Sequence, residues 1–175
     1  MKMRQILVFF LFVSHSSFCQ DIFEIARKGS RVEMEKYLKK HPDELNLISD
    51  QGASPFLLAA YNGNNEVANL LIEKGADLKN CYPQGSVIYA LIYKNNLVLL
   101  EEILKNGVSP NDSCQFEQMG YPLHFAMTLQ RYEAIQILMK YQLNLNIKDQ
   151  QGRTLDQLLL LYGDPQLKEI LNHEK

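Results

Sequence analysis

One helix-pair unit recurs along the sequence, and its clearest copy runs from Asp50 to Lys79. Ser54 followed by Pro55 predicts a helix start, because the hydroxyl caps free amides and the fixed φ of proline suits the first helical position. The apolar stripe of residues 67–72 predicts a second helix, which Gly75 closes in the left-handed conformation. Two helices this short cannot bury their apolar faces alone, so the unit needs stacked copies of itself.

Copies of this unit lie on both sides of it. Residues from 21 align with it at an offset of 34, which places Ala26 on Ala60. Residues from 86 align at an offset of 32 and residues from 122 at an offset of 67, and Gly152 begins a last copy. The chain from about 21 to 171 is therefore predicted to be one stack of helix pairs.

The central unit resembles an ankyrin repeat, whose pattern is G-x-T-P-L-H-x-A-A…G…LL…G-A-D. The positions that match this pattern are Gly52, Ser54, Pro55, Ala59, Ala60, Gly63, Leu71, Ile72, Gly75, Ala76 and Asp77. The resemblance implies an all-α ankyrin-repeat solenoid of about five helix-turn-helix repeats with short β-turn fingers. We expect a repeat domain over residues 20–175, with repeats at about 21–48, 49–81, 82–114, 115–147 and 148–173.

Residues 1–19 are typical of a secretory signal peptide. Lys2 and Arg4 form a charged start, and the apolar run of residues 6–13 is too short to span a membrane. The small residues around Phe18 predict cleavage before Gln20, so we expect a periplasmic or secreted bacterial protein. In the alternative, Cys19 is a lipidated N-terminus, but the bulky Phe18 disfavours that motif.

After cleavage two cysteines remain, Cys81 and Cys114, separated by 33 residues. Equivalent positions in neighbouring repeats are about 8–10 Å apart, and a disulfide tolerates only about 7 Å between Cα atoms. The loop after the third repeat is longer, however, and can bend back. A disulfide and two separate thiols therefore both remain open, in a compartment where disulfides persist.

The sequence offers no catalytic constellation and no sign of a cofactor, a metal site or a nucleic-acid surface. It lacks HExxH, paired CxxC, GxSxG and glycine-rich phosphate-loop patterns, and its net charge is −2. By the resemblance, His124 ties adjacent turns together by hydrogen bonding. Asp77, Asn111, Asn144 and Asp149 recur near repeat ends, which favours turn formation over metal ligation. We expect a non-enzymatic protein without an integral membrane segment after cleavage, and a monomer.

The resemblance implies a concave surface made by the first helices and the fingers. The predicted concave strip comprises Leu58, Tyr61, Asn62, Tyr93, Lys94, Phe125, Thr128 and Leu129. The predicted finger rim comprises Gln51, Lys79, Tyr82, Phe116, Glu117, Lys148 and Gln150. Aromatic anchors surrounded by polar residues supply most of the energy of protein interfaces. The competing interpretation is that these side chains only pack against each other across the groove.

Two classes of function follow. The first is an exported, non-catalytic module that binds a protein through its concave face and fingers, one version being an inhibitor or immunity-type protein that blocks a toxin or enzyme. The second is a thiol redox factor that uses Cys81 and Cys114. A spacer without a specific partner is a further option. The identity of the partner cannot be deduced, because repeat folds carry specificity in surface side chains.

Overall fold

The computed structural model describes residues 21–83, 85–114 and 120–172. These residues form ten α-helices and one short 3₁₀ helix at Pro42–Asn46, with no β-strand among them. In chain order, the α-helices are α1 (Ile22–Lys28), α2 (Arg31–Leu38), α3 (Pro55–Asn62), α4 (Asn65–Glu73), α5 (Val87–Lys94), α6 (Leu97–Lys105), α7 (Pro122–Thr128), α8 (Tyr132–Met139), α9 (Leu155–Tyr162) and α10 (Pro165–Asn172).

Side-chain caps fix several of the helix starts. Ser54 accepts a hydrogen bond from the backbone N–H of Leu57 at 3.1 Å, as the Ser-Pro signal predicts. Ser30 and Thr154 each form a full capping box, in which the third helical residue reaches back to the cap. Because these helices have only seven to nine residues, such caps satisfy a large share of their free amides.

Left-handed residues close the helices where the sequence predicts them. Gly63 ends α3 with a φ of 72°, and Asn95 takes the equivalent place after α5 with a φ of 54°. Gln142, which replaces the closing glycine of the fourth unit, also has a positive φ of 58°. Asparagine tolerates this region better than most residues, whereas a glutamine there carries a strain cost.

The described α-helices other than α9 form two layers. In the inner layer α1, α3, α5 and α7 each contact the next, and in the outer layer α2, α4, α6, α8 and α10 do the same. The core lies between the layers and contains Leu70, Leu91 and Leu138, each almost without solvent contact. Ala59 and Ala60 are fully buried, and their small side chains let neighbouring helices approach closely. The predicted all-α solenoid of stacked helix pairs is confirmed.

Two features go beyond the sequence prediction. The 3₁₀ helix at Pro42–Asn46 fills the place of the first finger, and its Asn46 side chain accepts a hydrogen bond from the backbone of Asp77 at 2.8 Å. Cys81 and Cys114 form a disulfide with their Cα atoms 5.5 Å apart. The Ser86 N–H donates to the carbonyl of Cys114 at 3.4 Å, so Cys114 lies beside the start of α5.

Some predictions cannot be compared with the structure. The signal peptide at residues 1–19, lipidation at Cys19 and the rim residues Phe116 and Glu117 lie outside the described residues. Within the described ranges, no helix combines the length and the apolar character that crossing a bilayer requires.

Candidate functional site

A largely apolar groove of about 470 Å³ runs across the exposed side of α3 and α5. Its volume lies in the range of pockets that hold ligands or partner side chains. The residues that line it are Gln51, Ala53, Leu57, Leu58, Tyr61, Ser86, Tyr89, Ala90, Tyr93 and Phe125. Five of the predicted binding residues, namely four of the strip and one of the rim, therefore lie together in one depression.

Two parallel tyrosine rings form the mouth of this groove. Tyr61 and Tyr93 have ring centroids 6.4 Å apart and an interplanar angle of 4°. They come from equivalent positions at the ends of α3 and α5, and they remain 43% and 51% exposed. The Nζ atom of Lys94 lies 4.2 Å from the centroid of the Tyr61 ring and 5.9 Å from that of Tyr93. The pair is therefore open to solvent and carries a cation held against its faces.

The floor of the groove is aromatic and includes one polar atom without a partner. The rings of Tyr89 and Phe125 pack with centroids 5.4 Å apart. The Oγ of Ser86 is buried and has no hydrogen-bond partner in the described part of the chain. Ser54, at the equivalent place one repeat earlier, instead caps its helix and bonds to the hydroxyl of Tyr82 at 2.7 Å.

Two of the predicted site residues are buried rather than exposed. Phe125 was expected in an exposed strip, but it is 4% exposed and forms part of the floor, because it packs against the larger Tyr89 beside it. Tyr82 was expected at the rim, and that prediction is wrong. Its ring is 6% exposed, and its hydroxyl bonds to buried Ser54, so this side chain supports the finger from inside.

The other predicted strip residues continue the same side of the molecule. Asn62 and Lys94 are exposed beside the tyrosines, and Leu129 is half-buried. Thr128 is exposed, but its hydroxyl donates to the His124 carbonyl at 2.9 Å and lies 3.1 Å from the Tyr162 hydroxyl. Of the rim residues, Gln51 lines the groove, and three others are exposed on the fingers: Lys79, Lys148 and Gln150.

Tyr89 is a site residue that the sequence analysis did not single out. The repeat offsets place it on the same position as His124. The Tyr89 hydroxyl donates to the Gly120 carbonyl at 2.7 Å. Burial raises the pKa of Tyr89, and the nearby charge of Asp112 adds to this. The signal that could have found it is the shared register with the histidine of the P-L-H motif.

His124 has a structural environment. Its side chain is 5% exposed, and burial lowers its pKa from the ordinary value of 6.5. The carboxylate of Asp149, in the next finger, acts in the opposite direction. Neither ring nitrogen of His124 has a hydrogen-bond partner among the described residues, so the expected hydrogen-bond tie between adjacent turns is not observed.

The acidic and amide side chains near repeat ends act as turn formers. Asp77 accepts from the backbone of Lys79 at 2.9 Å, and Asn111 accepts from the backbone of Asn144 at 2.7 Å. Among the residues that the structure covers, no three metal-ligating side chains cluster together. What this side of the molecule offers is an apolar groove with a cationic mouth, which is suited to binding.

The second unit matches a known family model. Residues 51–81 match the model of the ankyrin repeat. This range nearly coincides with the predicted second repeat and includes α3, α4 and the finger up to Cys81.

Similar proteins carry the same repeat. The chain is 25% identical over 138 residues to the ankyrin repeat and SAM domain-containing protein 6 of Rattus norvegicus. This alignment covers 76% of the present chain and 15% of the relative. It is 28% identical over 130 residues to the ankyrin repeat and SOCS box protein 11 of Mus musculus, covering 67% of this chain and 39% of the relative. The matches thus span well under half of either relative. Together with the model match they support the ankyrin repeat family, and the fold is an all-α ankyrin-repeat solenoid.

Proposed function

We propose that this ankyrin-repeat chain is a non-catalytic module that binds a protein partner in the groove between α3 and α5 and along the adjoining fingers. Ankyrin repeats generally mediate protein–protein interaction. The observation that carries the proposal is the exposed, parallel pair Tyr61 and Tyr93 over an apolar depression of about 470 Å³. Exposed aromatic side chains beside a pocket are the usual anchors of protein interfaces.

The groove is better suited to holding part of a partner protein than to catalysing a reaction. The groove is lined by apolar and aromatic side chains, and none of its lining residues carries a charge. His124 is the histidine that a catalytic interpretation would use. Its side chain is buried and packs against the next finger. We propose that the chain acts by covering a surface of its partner, as an inhibitor or an assembly factor does.

We also propose that the chain acts outside the cytoplasm. The leader-like residues 1–19 motivate this, and the disulfide between Cys81 and Cys114 supports it, because such bonds persist in oxidising compartments. Cell fractionation followed by N-terminal sequencing tests this. A mature chain that begins at Gln20 in the periplasm or medium is expected, and an uncleaved cytoplasmic chain would contradict it.

The binding proposal is tested by affinity capture from the cell envelope fraction with the full chain as bait. The variant Tyr61→Ala/Tyr93→Ala removes the two anchors without touching a buried side chain. We expect it to lose the partner that the parent chain retains. Val32→Ala/Val98→Ala is the matched control, because both valines are more than 70% exposed and lie on the outer helices α2 and α6. Equal recovery by all three proteins would end the proposal.

The thiol redox alternative makes a different prediction. A redox factor needs a disulfide that exchanges readily, whereas a structural bond resists reduction by the glutathione pool. Titration of free thiols after incubation with glutathione separates the two. We expect the native chain to show no reactive thiol, and rapid appearance of two thiols would favour the redox function.

A further inference from the structure

We propose that the groove binds a polypeptide segment that carries both acidic and apolar side chains. A large apolar side chain enters the depression, and a neighbouring carboxylate pairs with Lys94. This inference rests on the proposed function and adds the chemistry of the partner. It follows from the placement of the Lys94 ammonium and from the apolar lining of the groove.

On the groove side, the first helices carry more positive than negative charge, although the whole chain has a net charge of −2. The charged residues at the repeat positions that face this side are Glu24, Arg27, Lys28 and Lys94. The one carboxylate among them, Glu24, is already paired with Lys28. Arg27 and Lys94 are left to act on a partner, so the local field attracts negative charge.

The fingers carry charges of both signs. Asp77 and Asp112 each accept a hydrogen bond from a backbone N–H two residues later, at 2.9 Å and 2.8 Å, and keep their negative charge. Asp149 is paired with the guanidinium of Arg153. Exposed Asp50, Lys79 and Lys148 lie on the same fingers, so the positive charge at the mouth of the groove is that of Lys94.

Lys94 is the cation that a partner meets at the mouth of the groove. Its ammonium lies against the faces of Tyr61 and Tyr93, and within the described ranges no carboxylate forms a salt bridge with it. The ring contacts restrict the flexible side chain before a partner arrives, which lowers the ordering cost of binding. Lys94 is a single point charge, which one carboxylate of a partner is sufficient to pair with.

The depression beneath this cation selects an apolar side chain of the partner. Leu57, Tyr89 and Phe125 present carbon surface to the groove. The Oγ of Ser86 has no solvent contact, so an occupant meets apolar surface at the floor as well. A large apolar side chain therefore fits the depression better than a polar one.

The test is selection of random dodecapeptides displayed on phage by the full, disulfide-bonded chain. We expect the enriched peptides to combine Asp or Glu with a neighbouring Leu, Phe or Tyr. The best peptide is then synthesised and its affinity measured by fluorescence anisotropy. Lys94→Glu is expected to weaken binding about three- to tenfold, as for an exposed charge pair that becomes a repulsion. Higher salt should weaken the parent complex and not the variant complex.

Two controls make the result specific. Lys105→Glu carries the same charge change on the exposed end of the outer helix α6, and we expect binding to remain unchanged. Replacing the acidic residue of the peptide with Lys should restore binding to the Lys94→Glu variant, because the charges are then exchanged.

The outcomes separate this inference from the proposed function. Enriched peptides that are neutral or basic, ignore Lys94→Glu, yet depend on Tyr61 and Tyr93 would overturn the acidic partner and leave the binding groove intact. Peptides that are insensitive to the tyrosine variant would refute the groove itself. A library from which nothing is enriched would overturn a linear acidic segment as the occupant, while the envelope capture judges the groove independently.

Discussion

The hydrogen bond between Ser54 and Tyr82 shows that Tyr82, which is predicted to contact a partner, supports the finger from inside. The two hydroxyls are 2.7 Å apart and both are buried. Tyr82→Phe removes one of them and leaves Ser54 free to cap Leu57. We expect the free energy of unfolding to fall by about 1 kcal/mol, as for a buried hydrogen bond, with partner binding unchanged.

Urea denaturation measures this change, and Tyr93→Phe is the matched control. The Tyr93 side chain is 51% exposed, so losing its hydroxyl should leave stability unaltered. An unchanged urea midpoint of Tyr82→Phe would contradict the stabilising hydrogen bond. A loss of binding in that variant would show that the Tyr82 hydroxyl contacts the partner.

His124 should make the stability of the chain depend on pH. Burial lowers its pKa below the ordinary 6.5, so the unfolded chain binds a proton at a pH where the folded chain does not. The stabilising contribution is therefore complete above pH 6.5 and is lost as the pH falls toward the folded pKa. Asp149 and Asp164 have pKa values lowered from 3.8 and lose their contributions only in more acidic solution.

Urea denaturation between about pH 7.5 and about pH 5 measures this dependence. We expect the parent chain to lose stability across the range and His124→Gln to lose less, whatever its absolute stability. Val98→Ala, which changes an exposed apolar side chain and no ionisable group, should keep the slope of the parent. A His124→Gln slope equal to that of the parent would contradict a depressed histidine pKa.

At the scale of the helices, sequence pattern predicted most of what the structure contains. The starts of α3 and α9 follow from Ser54 and Thr154, and the left-handed residues at Gly63 and Asn95 follow from the repeat register. The 3₁₀ helix at Pro42–Asn46 was missed, because its place depends on a hydrogen bond to the next finger. Local signals predict local structure, and contacts between repeats are visible only in the stack.

The left-handed backbone conformation at the end of the fourth repeat can be tested by substitution. Gln142 adopts a φ of 58° at the position where other repeats have glycine. Gln142→Gly should relieve a cost of about 1–2 kcal/mol, less about 0.5–1 kcal/mol for the entropy of glycine in the unfolded chain. We expect a net stabilisation of up to about 1.5 kcal/mol by thermal or urea unfolding.

Gln136→Gly makes the same exchange inside α8, on an exposed helical position. It should destabilise the chain by about 1 kcal/mol, because glycine disfavours a helix interior. The opposite signs of the two changes identify the backbone conformation as the cause. Destabilisation by both would mean that Gln142 does not adopt a left-handed conformation.

At the scale of the whole molecule, the solenoid could be predicted and the groove only in part. The repeat register placed Tyr61 and Tyr93 on one exposed side, which follows from counting residues. It could not show that Phe125 is buried beside Tyr89, because the depth of a side chain depends on the sizes of its neighbours in the adjacent repeat. The disulfide likewise depends on how far one finger bends toward another, which spacing alone left undecided.

That disulfide should contribute strongly to the stability of the molecule. It connects two neighbouring fingers and closes a loop of 33 residues around α5 and α6. Cross-linking a loop of this length stabilises a protein by about 3–4 kcal/mol in the chain-entropy model. Cys81→Ala/Cys114→Ala should therefore unfold at clearly lower urea concentration, and dithiothreitol should lower the parent chain to the same midpoint while leaving the variant unchanged. If the unreduced, denatured parent chain titrates as two free thiols, or if dithiothreitol shifts both proteins equally, the fingers are not joined and the third repeat is held by packing alone.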